Sequence, residues 1–179
     1  MKRRYIRRIC GDLIQDLDLT APFSVDDLCE QVAERRRRRI RLAPLAFPAS
    51  GPVGLLVSTA AVDYVFYEVH TTTTHQTHIV VHELGHLVWG HSSSGPGEDS
   101  PHDSGSSLFS EDIDPVLIGH MLGRTQYSRP EEYAAEYFAT QVLRMVSGPP
   151  LDTAAVPADM GDLATRLERS LQHCGGTRR

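Results

Sequence analysis

A chain of 179 residues, 40% hydrophobic and 23% charged, has the composition of an ordinary globular domain and the length for one proper core. No apolar run approaches the eighteen residues of a membrane helix, and three cysteines without a C-x-x-C pair (Cys10, Cys29, Cys174) fit reduced thiols, not a disulfide framework. The net charge of −5 is uneven: residues 1–41 hold eleven Lys/Arg against seven Asp/Glu, and residues 42–179 hold seven against sixteen. A basic start, Met1 to Arg8, runs into Cys10-Gly11-Asp12 and not into an apolar signal core, so a single cytoplasmic domain over 1–179 is expected, with no membrane partner.

In chain order, Ile6, Ile9, Leu13, Ile14 and Leu17 form one stripe, which predicts a helix over about 2–18. Ser24, followed by Asp26 and Asp27, starts a second helix carrying Val25, Leu28 and Val32. Its end bears the run Arg35 to Arg39, where cations suit a helix C-terminus and stay solvated. No aromatic interleaving or nucleic-acid module accompanies the run, so direct nucleic-acid binding is not expected. Three strands follow at about 39–45, 53–58 and 62–69. The expected class is therefore α+β: N-terminal helices, a small sheet of about three strands, and then the segment that specifies chemistry.

That segment is His82-Glu83-Leu84-Gly85-His86. The H-E-x-x-H spacing sets two imidazoles one helical turn apart, where both reach one metal ion, and Glu83 projects from the adjoining face to act as base on a water. This is the working core of a zinc hydrolase. With nine histidines and ten glutamates a chance match is real, so context decides. Thr71 to Thr74 offer N-capping hydroxyls, Thr73 and Gln76 have capping-box spacing, and Ile79, Val80, Leu84, Leu87 and Val88 give a buried stripe. Gly90 then stops a helix of about fifteen residues.

Residues 92–112, rich in Ser, Gly and Asp, read as a mobile acidic loop, either a lid or a plain insertion. A short helix is expected from Asp114 to Gly123. Ser128-Arg-Pro-Glu131 then opens a longer helix to about Val146. Residues 147–179 form an extension whose amphipathic helix, near 158–172, is expected on the outside.

Two histidines leave a catalytic zinc short of one ligand. The longer H-E-x-x-H-x-x-G-x-x-H form fails, because Trp89 and Ser92 stand at its extra positions. His91 follows the Gly90 stop and is not expected to be a ligand. Glu132 and Glu136, four apart on a helix with small residues Ala134, Ala135 and Ala139, are the better pair: one carboxylate can bind the metal and the other can hold a ligating histidine by its second ring nitrogen. An oxyanion donor could come from His120, Tyr127 or Tyr133. His75 and His78 share the stripe of His82 but read as near-surface histidines, and Trp89 and Phe138 read as core.

The run His82 to His91, with Glu132-Tyr-Ala-Ala-Glu-Tyr-Phe-Ala139 and the approach Tyr64 to Glu68 and His75 to His82, resembles the ImmA/IrrE family of bacterial metallopeptidases. The resemblance covers about residues 20–146 and is specific in the two helices. It implies a zincin-like fold with Zn2+ on His82, His86 and Glu132, Glu136 supporting a ligand, and Glu83 as base. It also implies cleavage of a partner protein, a transcriptional repressor of the helix-turn-helix kind. Two departures, the serine-rich insertion at 92–112 and Val142-Leu-Arg-Met-Val in place of a Leu-Met-Pro ending, leave the metal site untouched and put substrate identity in question. The competing expectation is a non-catalytic regulator that binds such a repressor, its zinc only structural.

Overall fold

The computed structural model describes residues 3–49, 51–58, 62–91, 127–146 and 160–174. The described elements are α1 (Arg3–Gln15), α2 (Val25–Arg36), β1 (Arg39–Leu45), β2 (Gly54–Ser58), β3 (Val62–Glu68), α3 (Thr73–Trp89), α4 (Arg129–Val142) and α5 (Gly161–Cys174). The expected acidic loop at 92–112 and the short helix at 114–123 lie outside the described residues, as does His120.

The class is α+β, as the sequence predicts. The sheet order is β1-β3-β2, with β1 parallel to β3 and β2 antiparallel to it. From β1 the chain passes over the place that β3 will fill, forms β2, and returns between its two predecessors. Alternation along the strands divides the side chains between two faces. Leu56, Val65 and Tyr67 join the core made with α2 and α3, while Leu55, Val57, Tyr64 and Phe66 face the other way. That second face is covered by α5 through Leu163, Ala164 and Leu167, together with Met160 just before it. The C-terminal helix is therefore outermost, as expected, but it completes the core instead of decorating it. At roughly 25 cal/mol per Å2 of apolar area, uncovering a whole sheet face would cost several kcal/mol.

Local signals set the helix ends. Ser24 and Asp27 form a capping box, Ser24 N–H donating to Asp27 Oδ2 at 2.8 Å and Asp27 N–H to Ser24 Oγ at 3.1 Å. The Ser24 N–H, and the Ser24 hydroxyl that donates to the same oxygen at 2.8 Å, hold the Asp27 carboxyl below the usual carboxylate range. Arg37 ends α2 in the left-handed region at φ 53°. The arginine run then divides. Arg36 and Arg38 do not stay solvated but turn in on the fully buried Asp63 of β3, with Arg36 Nε 2.8 Å and Arg38 Nη2 3.3 Å from its carboxylate. Arg36 Nη1 also donates to the carbonyl of Leu87 at 3.1 Å, which ties α2 to the end of α3. A buried carboxylate needs such partners, and only the tertiary fold supplies one here.

Helix α3 runs 17 residues and ends at Gly90, which is left-handed at φ 68° as a glycine stop should be. Its cap is Thr72, whose hydroxyl accepts from His75 N–H; the expected Thr73–Gln76 box does not form. Gln76 is buried beneath the helix start instead, donating from Nε2 to the carbonyl of Val69 at 2.9 Å. Helix α4 opens at Ser128, whose N–H donates to Glu131 Oε2 at 2.7 Å. It stops at Val142, short of the expected Val146, because the next residues turn so that Met145 and Val146 can pair with Phe23.

Gly85 decides how closely α3 and α4 pass. A Cβ there would lie 3.1 Å from Phe138 Cδ1 and 3.2 Å from the carbonyl oxygen of Ala135. With Ala134, Ala135 and Ala139 buried opposite, the backbones approach as the small residues predict. On its other side α4 meets α1, where the Arg3 and Arg7 guanidinium groups lie 5.2 and 5.6 Å over the rings of Tyr133 and Tyr137.

Candidate metal centre

One turn of α3 places His82 Nε2 and His86 Nε2 3.1 Å apart. The close passage of α4 brings Glu132 to them, Oε2 at 3.4 Å from His82 Nε2 and Oε1 at 3.9 Å from His86 Nε2. One atom from each of the three residues falls within 4.8 Å of the other two, so the group could hold a metal ion. Among the described residues it is the only such group, and His75 and His78 make no second one. His75 Nδ1 instead lies 2.8 Å from Thr71 Oγ1.

Glu136, one turn on, looks at the back of the site. Its Oε2 is 3.5 Å from His82 Nδ1 and 3.2 Å from His78 Nε2. The two glutamates thus take different positions, Glu132 on the converging nitrogens and Glu136 on the far nitrogen of His82.

Burial and mutual repulsion with His82 and His91 push the His86 imidazole down to about 3, so it is neutral at ordinary pH, the form that binds a metal. Burial, with Glu132 adding repulsion, pushes the Glu83 carboxyl up to about 8. Its space depends on β2: a Cβ on Gly54 would lie 2.5 Å from Glu83 Oε1 and 2.8 Å from Ile79 Cγ2. Sequence reasoning missed this contact, although a glycine at a strand start can mark a close backbone approach.

Of the two candidate donors among the described residues, Tyr127 is the one beside the metal group. Its ring stacks on His86 at 3.5 Å between centroids and 17° between planes, and its hydroxyl is buried without a hydrogen-bond partner among the described residues. Burial raises its pKa, keeping the phenol protonated. Tyr133 is excluded, because its ring lies between Arg3 and Tyr137, on the α1 side. His91 is also nearer than expected, with Nδ1 3.0 Å from His86 Nδ1, and burial lowers its pKa. Phe138 is core as read, and Trp89 is only partly buried against the same cluster.

A cleft of about 340 Å3 opens onto the site, bounded by α3, by Glu132 and Glu136 of α4, by Tyr127, and by Pro52 to Leu56, the approach to β2 and its first residues. Comparison with known proteins adds nothing to this geometry: no family model matches the chain, and no curated protein or solved structure is detectably similar to it. The site therefore rests on its own chemistry, that of an α+β protein with a two-histidine, one-carboxylate group that could hold a metal ion. No described helix is long and apolar enough to cross a membrane.

Proposed function

We propose that the protein is a zinc-dependent endopeptidase of the zincin type, with His82, His86 and Glu132 holding the metal. Two imidazole nitrogens and one carboxylate suit zinc, and three protein ligands leave one position open, as catalysis needs and a structural site does not. When bound there, zinc would acidify a water and polarise a carbonyl.

The observation that carries the reading is Glu83. A carboxyl buried against the metal group, in room left by a glycine, is costly and has no use in a site that only binds. Its high proton affinity suits the role of base for an attacking water and then acid for the departing amine. Tyr127 supplies a buried, unsatisfied O–H donor in the same cleft, suited to an oxyanion.

Peptide as substrate fits the cleft wall. Glu68 N–H donates to the carbonyl of Val53, so 53, 55 and 57 turn their backbone groups to β3 while Gly54, Leu56 and Ser58 turn theirs outward. Among the described residues no further strand pairs with that edge, and an extended peptide could add to it beside Glu83. The resemblance to the ImmA/IrrE family in the two site helices extends the proposal to a protein partner, a helix-turn-helix transcriptional repressor, as substrate.

The test pairs metal content with cleavage of a proteome-derived peptide library, read as new N-termini. Zinc-loaded wild type is expected to cut, and Glu83→Gln to keep one zinc per chain while losing about 10²–10⁴-fold in rate. A variant that keeps its zinc and cuts like wild type would remove Glu83 as the base. A wild type that holds zinc and cuts nothing would favour the regulatory binding protein.

A further inference from the structure

His86 has one ring nitrogen among the metal donors and another, Nδ1, pointing away from them. An imidazole binds a metal through one nitrogen when the proton sits on the other, and a buried N–H must find an acceptor. That acceptor is not a carboxylate here. His91 Nδ1 is 3.0 Å from His86 Nδ1, and two nitrogens attract at that distance only if one carries the proton and the other a free lone pair.

The chain reaches this contact through its helix stop. With Gly90 left-handed at φ 68°, Gly90 N–H donates to Leu87 O at 3.1 Å and His91 N–H to His86 O at 2.9 Å. The residue after the stop is folded back over the last turn instead of leaving it. Trp89 stacks on the His91 ring at 5.9 Å and 19°, and holds it there.

We infer that His91 is a positioning residue for His86: its Nδ1 lone pair accepts the His86 Nδ1–H, which fixes the tautomer and ring direction that leave Nε2 free for the metal. The inference rests on the zinc reading above and adds a residue to it. It also explains why the acceptor is an imidazole. His86 is almost wholly buried beside Glu83 and Glu132, where a third carboxylate would add repulsion and a desolvation cost that a neutral ring avoids. His82, nearer the surface, has Glu136 in the equivalent place.

Two substitutions in the full chain separate the hydrogen bond from the packing. His91→Phe keeps a ring against Trp89 and removes the acceptor, whereas His91→Asn loses the ring but offers Oδ1 at about the position of Nδ1. Zinc affinity is measured by chelator competition, alongside the visible spectrum of the cobalt(II) form and the melting of the metal-free protein. His91→Phe should weaken zinc about 10- to 100-fold and alter the cobalt spectrum, while His91→Asn stays within about threefold of wild type with an unchanged spectrum. The proposal is overturned if His91→Phe binds like wild type, or if both variants lose affinity alike, by unfolding included, since that assigns the residue to packing. A wild type that binds no zinc would instead strike the metal reading itself.

Discussion

Helix α3 presents His82 and His86 from within the protein, their side chains 21% and 1% exposed, whereas α4 presents Glu132 and Glu136 at 47% and 53%. The difference follows what each side chain costs to desolvate. A neutral imidazole can be buried cheaply if its nitrogens are satisfied, and a carboxylate cannot. The imidazoles are therefore held by packing and by ring-nitrogen partners. The carboxylates keep access to water and owe their placement to where α4 lies. Glu83 breaks this rule, being a carboxyl group on the buried helix, and the proposed role of base rests on that exception.

The largest effect expected from this contrast concerns the two α4 carboxylates. Glu132→Ala should cost more than about a hundredfold in zinc affinity, and Glu136→Ala only about 10- to 100-fold, since Glu136 lies on the far nitrogen of His82 and not on the converging pair. Isothermal titration or chelator competition gives the ranking directly, and the reverse order would exchange their assignments.

Next comes the cost of the exception. In the metal-free protein Glu83 titrates near 8, far above its unfolded value of about 4.5. A raised folded value means that stability is complete below about pH 4.5 and is lost as the pH climbs toward 8. Glu83→Gln should then melt higher than wild type in the metal-free state, by a margin that grows by roughly 10 °C from pH 5 to pH 8. A margin that stays flat across that range would mean the carboxyl is not desolvated.

Smaller still is the effect of widening the gap between the helices. Gly85→Ala gains up to about 1 kcal/mol in helix propensity, but its methyl meets Phe138 and the Ala135 backbone at 3.1–3.3 Å. Overpacking of that kind costs about 1–3 kcal/mol, so a net loss of roughly 1 kcal/mol is expected, read as a fall of a few degrees in Tm. Zinc affinity should fall with it as Glu132 is pushed back. Unchanged stability with weakened zinc would show that α4 moves freely and that only the donor geometry depends on Gly85.

What could be read from the amino-acid order is what depends on near neighbours in the chain. The four-residue spacing of His82 and His86, the Gly90 stop, the Ser24 and Ser128 starts and the β-branched and aromatic run of β3 all act within a few residues. Each reappears in the fold, with the cap of α3 shifted by one threonine. The pair Glu132 and Glu136 was also readable as a pair, though its two members differ only by what stands across the helix gap. Tertiary packing alone decided the rest. It set Glu132 on the nitrogens and Glu136 behind His82, chose Tyr127 over Tyr133, pressed Gly54 on Glu83, turned Arg36 and Arg38 inward to Asp63, and laid α5 on the second face of the sheet. These are contacts between segments far apart in sequence, and no local period or propensity encodes the distance at which two helices or a strand and a helix come to rest.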